Sequence, residues 1–230
     1  SIMDVRFLYR PPGLRRWLLK KLYLDWPIRR LDVITAISEE TKREIIAHTG
    51  CSPEKIHVLD LPLTLSGRGV STKPFDVDEP IILQVGTMEN KNIPNLANAL
   101  HGLRCRLRIV GHLSTEQISV LEQNQINYTS VAELTDEQVW DEFDAADIVT
   151  FCSLYEGFGL PIIEAQSLGK PVVTSDRSPM TDTAGSDGAL FADPTDPTAI
   201  RAAIDRLIAN ADLRHALREA GLQNIARFAP

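Results

Sequence analysis

From residue 81 onward, short and mostly apolar runs alternate with stretches whose apolar residues recur every three or four positions. The runs "PIILQVG", "RLRIVG", "INYTSV", "DIVTFCS", "PVVTSD" and "GALFAD" read as strands. Between and after them, "IPNLANALHG", "STEQISVLEQ", "TDEQVWDEFDAA", "PIIEAQSLG", "SPMTDTAG" and "PTAIRAAIDRLIAN" read as helices, the third opened by Thr135. Several of the strands are apolar throughout, as expected of strands covered on both faces. Strands and helices alternating at this length predict βαβ units and an α/β fold with a doubly wound parallel sheet. Its ligand cleft is expected at the carboxyl ends of the strands.

The pattern differs before residue 81. "GLRRWLLKKLYLDW" (13–26) predicts a helix with Leu14, Trp17, Leu18 and Leu22 on one side and Arg15, Arg16 and Lys20 elsewhere. "LDVITAIS" predicts a strand, Ser38 a cap for the helix "EETKREIIAH" ending at Gly50, and "KIHVLDLP" another strand. Periodicity then fades over 60–80, a stretch rich in Gly, Ser, Thr and Pro that reads as a linker. Two strands and two helices are too few for an independent core. Residues 1–70 are therefore expected to be a partial N-terminal α/β domain plus linker, and 71–230 a complete domain. The closing "GLQNIARFAP" reads as a helix that runs out without a cap, so the chain is expected to be cut at both ends.

Composition narrows the classes. A hydrophobic share of 43% and a charged share of 24% over 230 residues suit a soluble globular protein. No apolar run approaches the roughly 20 residues that cross a bilayer, and "SIMDVRFLYR" lacks the layout of a signal peptide. Cys51, Cys105 and Cys152 are odd in number and widely spaced, which suits buried thiols in a reducing, cytoplasmic compartment. The net charge of -7 hides an asymmetry: residues 1–30 carry eight Lys/Arg against Asp4 and Asp25, a net of +6, which leaves -13 for the rest. With no basic stripe in the main body, nucleic acid is excluded as a partner.

The chemistry gathers in "SLYEGFGLPIIEAQSLGKPVVTSD" (153–176), where Glu156 and Glu164 flank a glycine-rich bend. Gly157 and Gly159 permit close backbone approach to a ligand, and Pro161 suits a first helical turn. A helix starting at Leu160 would aim free N–H groups and the positive end of its dipole at the cleft, a ready site for a diphosphate. Glu164, one or two turns in, could accept hydrogen bonds from the paired hydroxyls of a sugar or ribose. Two solvated glutamates around a plain turn remain a competing reading. A metal pair is disfavoured, because no Asp or His joins them at ligand spacing. Lys91 and Asn92 alone read as a surface lysine and a turn residue. Cys152 has no accompanying base, and the histidines have no partner pattern.

The stretch "SLYEGFGLPIIEA" resembles the E-x7-E motif of retaining GT-B glycosyltransferases, specifically glycosyltransferase family 4. "LQVGTMENKNIPNLANAL", "AADIVTFCS", "LFADPTD" and "GLQNIARF" agree in order and spacing, so the resemblance covers roughly residues 30–230. It implies the Rossmann-like, donor-binding C-terminal half of such an enzyme, preceded by the tail of the acceptor-binding half. It further implies transfer of a hexose from a nucleotide-diphosphate sugar to a glycan or lipid-linked acceptor, in cell-envelope polysaccharide synthesis, with no metal and no other cofactor. Glu156 and Lys91 take the catalytic positions. Gly86, Thr87, Gly157, Phe158, Gly159, Leu160 and Glu164 join them around the donor, Glu156 at the sugar hydroxyls, Gly159–Leu160 and Lys91 at the diphosphate, and Glu164 at the ribose. Two departures stand out. No arginine accompanies Lys91 in its loop, and Met3 replaces the histidine expected before Asp4. The rival expectation is a truncated nucleotide-sugar-binding module without transfer activity. For the basic helix 13–26, peripheral contact with an anionic membrane competes with packing inside an acceptor-binding half.

Overall fold

The computed structural model describes residues 13–59 and 68–228; Met3, Asp4 and most of the first half of the expected linker lie outside them. The described residues fall into two compact units. The first takes in those before residue 61 together with Glu156–Phe158, and the second takes in the remainder.

In the first unit, β1 (Ile34–Ala36) pairs in parallel with β2 (Ile56–Val58), and α3 (Glu39–Thr49) connects them. The Ser38 hydroxyl accepts from Thr41 N–H at 3.1 Å, and Gly50 closes the helix in the left-handed region at φ 66°. Ile34, Ala36, Ile45 and Ile56 form its small core with Leu24 and Ile28.

The helix expected over 13–26 has a different form. α1 (Leu14–Lys20) leads into a π-helical stretch (Lys21–Asp25) and then α2 (Trp26–Arg30). The wider turn rotates the side chains, so the core takes Leu24 and Ile28, one turn apart. The apolar side read from the sequence, Leu14, Trp17, Leu18 and Leu22, lies exposed. Among the described residues no helix is long and apolar enough to cross a membrane.

The second unit is a six-stranded, all-parallel sheet. Its strands are β3 (Ile81–Val85), β4 (Arg106–Val110), β5 (Tyr128–Val131), β6 (Ile148–Phe151), β7 (Val172–Ser175) and β8 (Leu190–Ala192). They lie in the order β5-β4-β3-β6-β7-β8, with Ile82 opposite both Leu107 and Ile148. The helices are α4 (Ile93–Leu100), α5 (Thr115–Gln123), α6 (Asp136–Ala145), α7 (Leu160–Ser167), α8 (Met180–Ala184), α9 (Pro197–Ala209) and α10 (Ala211–Asn224).

Alternate strand residues feed two cores. Ile82, Leu107, Ile109, Ile148 and Val173 pack with α4, α5 and α9. Leu83, Val149, Phe151 and Val172 pack with α6, α7 and α8. Both faces are thus covered, and the doubly wound expectation holds. Asp147, just before β6, fixes the amino ends of the central strands. It accepts from Ile81 N–H at 2.8 Å and Asp76 N–H at 3.2 Å, and pairs with Lys73.

The expected C-terminal helix is one part of a longer element. α10 starts at Ala211, directly after α9, with Asn210 accepting from Leu213 N–H at 2.9 Å. It ends in a single 3-10 turn, Ile225–Phe228, that buries Phe228. Of the three cysteines, Cys105 and Cys152 are buried, while Cys51 is only half-buried.

Candidate functional site

The strand order places the topological switch between β3 and β6, where the chain winds away in opposite directions. In such a sheet the ligand crevice opens there, at the carboxyl ends. Two segments of interest leave from that point: 86–92 after β3 and 152–159 after β6.

After β3, Gly86 N–H donates to Val110 O at 2.8 Å, and the residue takes φ 88°. A Cβ at Gly86 would lie 2.9 Å from Lys91 Cε, so glycine lets the Lys91 stem cross the backbone. The Lys91 ammonium then sits 4.3 Å from the ring centroid of Phe151, the last residue of β6. Thr87 is held on the other side: its carbonyl accepts from Gln117 Nε2 at 2.7 Å, and its methyl packs on Gly111.

The asparagines around Lys91 anchor this loop. Asn90 Nδ2 donates to Tyr155 O at 2.9 Å, and Asn90 O accepts from Leu154 N–H at 2.8 Å. Asn92, read from the sequence as a turn residue, does adopt a left-handed φ of 61° before α4. Its buried amide also reaches Cys152 O at 3.0 Å and Pro194 O at 2.6 Å. Lys91 is therefore braced by the connection that follows β6 and by the one that follows β8, which is not how a freely solvated lysine is held.

After β6, Gly159 at φ 113° starts α7 with Pro161 in the first turn and no side-chain cap. Gly159 also approaches Phe151, whose Cε1 would be 3.6 Å from an added Cβ. Phe151 is thus a shared wall between the Lys91 ammonium and the start of α7. Leu160 is 40% exposed at that start.

Glu164 follows in α7, half-buried. Burial chiefly, and then the charge of Asp136, push its carboxyl up to about 7, against the opposing pull of Lys91. Among the described residues its carboxylate makes no hydrogen bond. A carboxyl desolvated beside a lysine and left without a donor is suited to take hydroxyls from a ligand.

The second unit by itself thus brings together Gly86, Thr87, Lys91, Gly159, Leu160 and Glu164. Glu156, Gly157 and Phe158 group with the first unit. Glu156 is half-buried, and Gly157 and Phe158 are buried. Cys152 is buried with its thiol pushed up to about 12, so no thiolate is available there. Among the described residues, no three His, Cys, Asp or Glu side chains are grouped as a metal site. Phe151 and Asp136 were not singled out by sequence reasoning. Phe151 carries a usable signal as the last apolar residue of the strand before the motif. Asp136 carries none, because its proximity to Glu164 arises only from folding.

The family model described as "Glycosyl transferases group 1" matches residues 71–224. The O-antigen chain mannosyltransferase B of Escherichia coli is 33% identical, over 96% of this chain and 62% of that protein. The MMP alpha-(1->4)-mannosyltransferase of Mycolicibacterium hassiacum is 27% identical, over 87% of this chain and 51% of its own length. The chain therefore spans between about half and just under two thirds of these two relatives. In three dimensions, sucrose-phosphate synthase from Thermosynechococcus elongatus superposes with a TM-score of 0.79 at 21% identity, covering 97% of this chain and 61% of that one. The chain belongs to the group 1 glycosyl transferases, and its sheet is the Rossmann-like part of a GT-B fold.

Proposed function

We propose that this chain carries the donor site of a retaining, metal-independent glycosyltransferase. It passes a hexose from a nucleotide-diphosphate sugar to a glycan or lipid-linked acceptor, on the cytoplasmic side of a cell membrane. Mannose is the first sugar to consider, since both relatives described above are named mannosyltransferases. In this reading, residues 71–230 are the donor domain and 1–70 belong to the acceptor-binding part.

One observation carries the reading. Lys91, crossing Gly86 onto Phe151, shares that ring with the uncapped start of α7, and Glu164 lies in the same helix with no hydrogen-bond donor among the described residues. The ammonium and the helix N-terminus are suited to a diphosphate, and Glu164 to the ribose hydroxyls. Gly86 and Thr87 give the backbone approach, while Glu156, Gly157 and Phe158 attend the sugar. As the C1–oxygen bond breaks, negative charge grows on the leaving diphosphate. Fixed donors already aimed at that charge lower the barrier without solvent reorganisation. Lysine and helix dipole together take the role that a divalent cation would otherwise play.

A second reading is a nucleotide-sugar-binding module without transfer activity. It is favoured by the fact that Lys91, the start of α7 and Glu164 all belong to the second unit. Calorimetric titration with UDP-, GDP- and ADP-sugars in EDTA tests the common premise. Saturable binding of one donor is expected, unchanged when magnesium is added. Failure of every donor to bind, or tenfold tightening with magnesium, would overturn it. Sugar transfer to an added acceptor then separates the enzyme from the module.

A further inference from the structure

At the opposite end of the sheet, before β6 and β7, lies a cavity of about 360 Å³ that the donor site does not use. Its charged lining is Lys73, Asp147, Lys170, Arg214, Arg218 and Glu219. Lys73 and Asp147 neutralise each other, and the Asp147 oxygens are already occupied by two backbone N–H groups. Among the lining side chains, Lys170, Arg214 and Arg218 then exceed the single carboxylate of Glu219 by two positive charges, with the Asp144 carboxylate near Lys170 just outside the lining. The surplus stands out in a chain whose residues 31–230 sum to -13.

Lys170 is only 6% exposed. Its ammonium donates to Asp144 O at 2.5 Å and Ala146 O at 2.9 Å, the carbonyls that end α6. Those acceptors are neutral, and among the described residues its third donor has no partner. Burial lowers its pKa to about 8, outweighing the nearby Asp144 and Asp147, while Lys73 and Arg218 push the same way as burial. A buried cation without a bonded counter-ion is costly unless something supplies the charge.

The neighbouring guanidiniums are arranged to help. Arg214 is held rigid over Phe75, 4.1 Å from the ring centroid, with one nitrogen bonded to Leu207 O and Ile208 O. That leaves its remaining N–H groups for another acceptor. Arg218 lies over Gly169 and, among the described residues, makes no hydrogen bond or ion pair. The exposed His215 also lines the cavity.

We propose that this cavity binds a phosphate-class dianion, free phosphate or a small phosphate monoester, between Lys170, Arg214 and Arg218. A dianion balances the two surplus charges, and charge-assisted hydrogen bonds from arginine suit its oxygens. The site is separate from the donor crevice, so its occupancy is independent of the reading of Lys91.

The test uses the full chain carrying Lys91→Ala, which removes the other expected phosphate contact. Inorganic phosphate and glycerol 3-phosphate are titrated by calorimetry, with glycerol as the uncharged control. Saturable binding of at least one anion and none of glycerol is expected. Tighter glycerol 3-phosphate assigns the site to monoesters, and equal affinity assigns it to the phosphate group alone. Adding Arg218→Ala should weaken binding about tenfold. Arg218 is exposed, so this second change does not threaten folding. Absence of saturable anion binding in the Lys91→Ala chain, or an affinity untouched by Arg218→Ala, would overturn the proposal.

Discussion

α5 and α6 begin with closed capping boxes, whereas α4 and α7, the helices that leave the switch-point strands, begin with none. Ser114 and Gln117 exchange hydrogen bonds at the start of α5, as Thr135 and Gln138 do at α6. α4 and α7 instead start on left-handed residues, Asn92 and Gly159, without a side chain to satisfy the first N–H groups. α5 and α6 use their own side chains to close their ends, which stabilises them. Those at the crevice keep donors open and are stabilised elsewhere, by the Asn92 amide on Cys152 O and Pro194 O and by the packing of Ile162 and Ala165. On the proposed reading, stability and ligand binding are divided between two kinds of helix start within one sheet.

The sharpest way to break this contrast is Gly159→Ala. A side chain at φ 113°, with its Cβ 3.1 Å from Ile162 Cδ1, should cost about 1–2 kcal/mol of unfolding free energy. The same change should weaken nucleotide-sugar binding beyond what global unfolding explains. Urea melts together with calorimetry measure both effects. Loss of stability with intact binding would show that the start of α7 does not hold the ligand.

Glu164→Gln probes the open helix through pH. The Glu164 carboxyl titrates near 7 in the folded chain against an ordinary 4.5. Between those values the folded state keeps a proton that the unfolded state has lost, so the wild-type chain loses stability as pH rises through this window. Glutamine has no such dependence. Relative to wild type, Glu164→Gln should therefore gain about 2–3 kcal/mol between pH 5 and pH 8. Parallel melts at the two pH values would count against a desolvated Glu164.

The smallest effect belongs to a closed start. Thr135→Ala should cost about 0.5–1 kcal/mol of stability through loss of the cap, and leave donor affinity unchanged. An affinity loss here, measured by the same titration, would erase the distinction between the two kinds of helix.

Much of this contrast was legible in the sequence. Thr135 and Ser38 announced their helices because a capping hydroxyl is a local feature, and the apolar runs gave every strand of the large sheet. Pro161 after Gly159 likewise marked the start of α7. What escaped depended on long-range contacts or weak periodicity. Asn92 looked like a turn residue because its two acceptors lie 60 and 102 positions away. Lys91 in isolation looked solvated, because only folding brings the Phe151 ring beneath it. α10 was read only at its end, since Leu217, Gly221 and Asn224 are its buried positions and give little apolar signal. Over 13–30 the π-helical stretch shifted the buried face to Leu24 and Ile28, which a 3.6-residue period does not anticipate.

The central claim is that Lys91 and the open start of α7 meet a diphosphate. It is tested most directly by titrating wild type and Lys91→Ala with the nucleoside diphosphate of the preferred donor and with the bare nucleoside. The account predicts that Lys91→Ala weakens the diphosphate by about 1.5–3 kcal/mol, the range of a charge-assisted hydrogen bond, and leaves the nucleoside unchanged. Equal weakening of both ligands, or of neither, would contradict it.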